Sequence, residues 1–165
     1  MRDFTAAKHG AANVAPMRVH EVSWDDPDAV ALRAGQRAEI AERYGTTDSE
    51  PGVAPSAGDI AVFVVARDAS GAAVGCGGLR ELGDAAGEVK RMYVRPDRRG
   101  SGAAALVLAA LEEWARERGW KCLRLETGDR QPDAVRFYTR SGYTPIPGFG
   151  AYADEPSSLC FEKVL

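Results

Sequence analysis

The chain has few cysteines, no long apolar run and no surplus of positive charge, and each shortage excludes a class of protein. Its three cysteines, Cys76, Cys122 and Cys160, are odd in number and widely spaced. That is not a disulfide framework, and no CxxC or CxxH pair offers zinc its usual ligand spacing, so no metal is expected. Each lies in an apolar, strand-like run, so all three read as buried, inert thiols, and a cytoplasmic location is the expectation. No stretch approaches the roughly twenty apolar residues of a membrane span. The first residues, Met1–Pro16, are Ala-rich and lack the apolar h-region of a signal peptide; they read as a disordered extension, with Met17 a second candidate start. A net charge of -3 gives the chain no electrostatic reason to seek nucleic acid or an anionic membrane, although Lys90–Arg99 is a local basic patch.

What is present suits one ordinary globular domain, residues 17–165. The chain has 165 residues, of which 45% are apolar and 27% charged. Met17–Trp24 alternates apolar and polar residues, as a strand does. Asp25-Asp26-Pro27-Asp28 then signals a helix start, and Ala29–Tyr44 has helical spacing up to Gly45. Thr46–Asp59, rich in Gly, Pro, Ser and Thr, reads as a loop. Ile60–Ala66, Ala72–Leu82 and Glu88–Val94 read as three strands of a meander joined by turns at Ser70-Gly71 and Gly83–Gly87. Ala103–Arg118 is the strongest helical segment, with Leu106, Ala110, Leu111 and Trp114 on one face and Gly119 to close it. A strand Cys122–Glu126, a helix Pro132–Ser141, extended Tyr143-Thr144, a loop Pro145–Pro156 and a last strand Ser158–Val164 complete the order. This is an α+β arrangement: a mixed, mostly antiparallel sheet flanked by helices, with a β-meander followed by a β-α-β-α-β segment.

The most informative segment joins the third meander strand to the strongest helix: Arg98-Arg99-Gly100-Ser101-Gly102-Ala103-Ala104. Two glycines let backbone approach a ligand, the helix start offers unpaired N–H groups and positive dipole charge, and two arginines add formal charge. Together they suit a pyrophosphate. GxxxxGK[ST] and GxGxxG are both absent, so the loop is neither a Walker loop nor a dinucleotide fingerprint.

Arg99-x-x-Gly102-x-Ala104 resembles the [QR]xxGx[GA] motif of the GNAT acyltransferase superfamily. The strand Glu88–Val94 ending in Arg95-Pro96, and the run Ala134-Val135-Arg136-Phe137-Tyr138-x-x-Ser141-Gly142-Tyr143, resemble that superfamily's flanking motifs. The resemblance spans about Met17 to Leu165 and is most specific over Glu88–Tyr143. It implies an acetyl-CoA-dependent N-acetyltransferase of GNAT fold. It implies that Arg99, Gly100, Ser101, Gly102, Ala103 and Ala104 hold the CoA pyrophosphate, and that the backbone of Met92, Tyr93 and Val94 meets the pantetheine arm and thioester oxygen. Members often carry Asn where Gln131 stands; Gln131 offers similar amide contacts with a different reach. Small domains of this superfamily often pair, so a homodimer is compatible with it.

Acetyl transfer needs a neutral amine, a stabilised thioester oxygen and a proton for the leaving thiolate. The resemblance makes Tyr138 the leading general acid, and a phenol of pKa near 10 suits a thiolate of similar basicity. Glu88 is the leading base, matching a glutamate that some members carry; Glu126, closing the next strand, is the second candidate. Arg80, Lys90 and Arg91 lie on or beside the meander strands. If they point inward, the cleft is cationic and suits a small-molecule amine that carries a carboxylate. Loops Tyr44–Asp59 and Pro147–Tyr152 are expected to shape the acceptor side. There Phe149 and Tyr152 either form an aromatic wall or staple their loop to the core. Three other readings stand beside this one: a protein lysine or N-terminal acetyltransferase, which needs an open groove; a non-catalytic CoA sensor; and a nucleotide-binding domain, which the meander disfavours.

Overall fold

A computed structural model describes residues 3–5, 16–47 and 49–165. Its strands are β1 (Asp3–Thr5), β2 (Arg18–Val22), β3 (Ile60–Arg67), β4 (Ala73–Gly83), β5 (Ala86–Val94), β6 (Cys122–Gly128), β7 (Thr144–Ile146) and β8 (Ser158–Val164). Its helices are α1 (Pro27–Tyr44), α2 (Ala103–Glu117) and α3 (Pro132–Arg140). Within the segment expected to be a disordered extension, Asp3–Thr5 pairs with β2; most of the rest lies outside the described residues.

Local chemistry accounts for the helix ends. Asp26 Oδ1 accepts from the Asp28 and Ala29 N–H groups at 2.9 and 3.2 Å, and Pro27 follows it at the first helical position. Gly45 closes α1 in the left-handed region. Between β3 and β4, Asp68 Oδ1 accepts from the Ser70 and Ala72 N–H groups, which folds the turn.

The strands form one sheet in the order β1-β2-β3-β4-β5-β6-β8-β7. Every neighbouring pair is antiparallel except β5 and β6, which run parallel with α2 as their crossover. The expected α+β meander-plus-crossover topology is the one found. The main core lies under α2, which buries Val107, Leu108, Leu111 and Trp114 against the sheet. Each large side chain buried this way contributes about 1.5–3 kcal/mol.

The glycines that thin β4 make that contact close. A Cβ built on Gly77 would lie 2.6 Å from Met92 Sδ, 2.9 Å from Val107 and 3.2 Å from Leu111. Gly77→Val should therefore push α2 off the sheet. We expect a loss of about 2–3 kcal/mol, read as a Tm lower by about 5–10 °C in a thermal melt.

Two features of β5 position the site. First, Cys76 pairs with Tyr93 and Gly78 with Lys90, so two steps along β4 face three along β5. The extra residue is a β-bulge, and Arg91 takes a φ of 57° to make it. Second, β5 pairs with β6 only over Ala86–Glu88. Beyond that β6 follows β8 along its whole length while β5 stays with β4. The sheet splits, and a cleft opens between the two strands. The thiols stand apart from it: Cys76 and Cys160 are buried and Cys122 half-buried, and burial raises all three pKa values, Cys76 to about 12.

Candidate active site

Two adjoining cavities fill the split, of about 520 and 380 Å³, and Gln36, Ile40, Met92, Gln131, Ala134 and Tyr138 line both. The larger lies at the phosphate loop. Gly100 and Gly102 take φ values of 78° and 88° there. Gly102 caps α2 with no side-chain hydrogen bond, and the first turn holds no acidic residue. Leu106 N–H makes the first intrahelical bond, to the Gly102 carbonyl, so the three N–H groups before it have no intrahelical acceptor. An anion fits this turn. Of the residues expected to hold CoA, Met92, Tyr93, Val94, Arg99, Gly100, Gly102, Ala103 and Ala104 line this cavity, whereas exposed Ser101 does not.

The two arginines are already engaged. Arg98 pairs with Asp68 at 2.7 Å, and Arg99 pairs with Glu39 at 2.5 Å and donates to the Val94 carbonyl. Backbone N–H groups at the start of α2 stand beside them as donors for a ligand. Gly102→Val places a branched side chain in the left-handed region at a cost of about 1–2 kcal/mol, which the loop sheds by moving. Acetyl-CoA should then bind about tenfold more weakly by calorimetry, with little change in Tm.

Tyr138 stands where the cavities meet. It is 7% exposed, packs against Phe137 and Tyr143, and receives no hydrogen bond from any described residue. Burial pushes its phenol pKa well above the ordinary range, so it stays protonated. Glu126, half-buried on β6, lines the smaller cavity. Burial holds its carboxyl above the usual carboxylate range, against the Ser158 hydrogen bond and the charge of Lys90; Glu50 and Glu88 add to the rise.

Glu88 lies one layer back. It is 2% exposed and lines neither cavity. Arg80 holds its Oε1 at 2.9 Å, and the Tyr152 hydroxyl donates to its Oε2 at 2.8 Å while accepting from Lys90 Nζ at 3.0 Å. The expected cationic cleft is absent, because each of its three cations is matched. Arg80 pairs with Glu88 and Asp59, and Lys90 and Arg91 both pair with Glu50. Tyr152 is buried in this network and Phe149 packs edge-on against it, so the two aromatics staple their loop.

Residues of α1 complete the wall. Gln36, Ile40 and Tyr44 are four apart and all line the smaller cavity. Gln36 Nε2 donates to the Met92 carbonyl at 2.9 Å, beside the split edge of β5, while its buried Oε1 has no partner among the described residues. That row of three larger residues in an Ala-rich helix was the available sequence signal for this wall.

Comparison with known proteins places the chain in a family. The profile of the Acetyltransferase (GNAT) family matches residues 19–143. The IAA acetyltransferase of Azospirillum brasilense is 40% identical over 104 residues, 62% of this chain and 67% of that protein. A Klebsiella pneumoniae chain assigned as an acyl-CoA N-acyltransferase superposes with a TM-score of 0.76 at 33% identity, covering 89% of this chain and 96% of the other. PaiA N-acetyltransferase from Thermoplasma acidophilum, solved with coenzyme A, shares the fold at 17% identity, with a TM-score of 0.67 over 90% of this chain and 99% of its own. Among the described residues no helix is long and apolar enough to cross a membrane.

Proposed function

Because the chain belongs to the GNAT family of acetyltransferases, and so is an acetyl-CoA-dependent N-acyltransferase, we propose that it acetylates the primary amine of a small molecule in the 380 Å³ cavity between Glu126 and Tyr138. The observation that carries this reading is the split between β5 and β6. It joins an uncapped helix start at one end to a polar, walled cavity at the other. The residues present fit the cofactor. Two glycines free of Cβ and the start of α2 suit a pyrophosphate, and the unpaired edge of β5 past Glu88 suits an extended arm. Held there, acetyl-CoA would supply an acetyl thioester to the amine nitrogen, the C–S bond being the one given up for the new C–N bond. Glu126 takes the proton that the amine gives up. Tyr138 holds the proton that goes to the sulfur, and its neighbours Phe137 and Tyr143 keep water from that face. Glu88, one layer back, positions Lys90 in the cavity wall and Tyr152 behind it.

A thiol-release assay with acetyl-CoA and a panel of amino acids, alkylamines, polyamines and peptides tests this. Turnover confined to small amines is the expected result. Turnover on peptides alone would overturn the acceptor class, and failure to bind acetyl-CoA would overturn the site.

A further inference from the structure

We propose that Lys90 and Arg91 form the subsite for an anionic group on the acceptor, and that Glu50 is a resident competitor that fills it until the acceptor arrives. This rests on the acetyltransferase reading for the amine half of the acceptor, and on geometry alone for the anionic half.

Consecutive residues of a strand point to opposite faces, so Lys90 and Arg91 should diverge. They converge instead. Lys90 Nζ meets Glu50 Oε1, and Arg91 donates to Glu50 Oε2 at 2.6 Å. The left-handed backbone of Arg91, at φ 57°, is what swings the two onto one carboxylate. A non-glycine residue rarely takes that conformation, and strain of this kind concentrates where a chain positions groups for a ligand.

The carboxylate they share is not part of the sheet. Glu50 comes from the irregular segment between α1 and β3. Its side chain is 26% exposed, against 5% for Lys90 and 16% for Arg91, so it sits on the solvent side of the pair. All three residues line the acceptor cavity. Lys90 is also held from behind by the Tyr152 hydroxyl and lies 3.9 Å from Glu88, so it keeps its place when Glu50 leaves. The network has three cations, Arg80, Lys90 and Arg91, against three carboxylates, Asp59, Glu88 and Glu50. Without Glu50 one positive charge is unmatched, and a carboxylate or phosphonate on the acceptor matches it. Glu126 lines the same cavity. The cavity therefore suits a zwitterion, its amine toward Glu126 and its anion toward Lys90 and Arg91.

An occupied subsite weakens apparent affinity by the fraction of time it is free. If Glu50 fills it for about nine-tenths of the time, the cost is about tenfold. Glu50→Gln should then lower KM for β-alanine and 4-aminobutyrate by about tenfold and leave KM for propylamine and butylamine unchanged. Arg91→Asn, whose side chain tolerates the left-handed backbone, should raise KM for the two amino acids by about tenfold or more, again sparing the alkylamines. A Glu50 that merely straps its loop down would shift both acceptor classes together in Glu50→Gln, and that result overturns the proposal. A second arm needs no turnover: propionate is titrated into the protein and followed by NMR at the amides of Glu50, Lys90 and Arg91. Tighter binding in Glu50→Gln and loss in Arg91→Asn support the subsite, even if no amine is acetylated and the enzymatic reading falls. Equal binding in the wild type and Glu50→Gln overturns it.

Discussion

Tyr138→Phe should cut kcat by about 10²- to 10⁴-fold, the usual contribution of a positioned proton donor, while KM for acetyl-CoA stays within about twofold. The substitution removes one oxygen and keeps the ring. The ring makes the contacts with Phe137 and Tyr143, and no described residue hydrogen-bonds the hydroxyl, so no protein partner is orphaned. A cut in kcat without a change in Tm separates chemistry from packing. Steady-state kinetics beside a thermal melt make the check. An unchanged kcat would remove Tyr138 from the reaction and leave it a core aromatic.

Glu126→Gln should lower kcat/KM by about 10²-fold or more near neutral pH and change the shape of its pH profile. Burial raises the Glu126 pKa above the usual carboxylate range. Its basic form is present above that raised pKa and lost as pH falls through it, because protonation removes the acceptor of the amine's proton. The amine must also be neutral. In the wild type, log kcat/KM should rise with a slope of about two below the Glu126 pKa and about one above it. In Glu126→Gln a slope of about one should run throughout. Glu88→Gln supplies the contrast. It weakens the carboxylate that Arg80 and Tyr152 share, so it should lower Tm and leave both slopes in place. If the lower slope vanished in Glu88→Gln and persisted in Glu126→Gln, the base would be Glu88, reaching the cavity through Tyr152 and Lys90.

These two carboxylates mark where reading the chain stops. Both Glu88 and Glu126 sit on strands beside the cleft, and the resemblance, not their local pattern, puts Glu88 first. Their difference in access comes from the split. β5 and β6 are still paired at Glu88 and have parted by Glu126, so the first is enclosed and the second opens on the cavity. In the same way, Arg80, Lys90 and Arg91 read as a positive face, because their partners Asp59 and Glu50 lie in a loop whose path carries no periodic signal.

Much was legible without coordinates. From Met17 on, the order of strands and helices, the hairpin at Ser70-Gly71, the helix start at Asp25-Asp26-Pro27-Asp28, the buried face of α2 and the glycine loop before it all follow from local rules. Periodicity, capping and the left-handed tolerance of glycine act within a few residues, so the amino-acid order alone determines them. The tertiary structure decided the rest: the bulge at Arg91, the parting of β5 from β6, the α1 row that walls the cleft, and Glu50 lying across Lys90 and Arg91. Each of these depends on which strand edges and side chains meet across tens of residues. Pairing partners and packing settle that, and neither is written in any one segment.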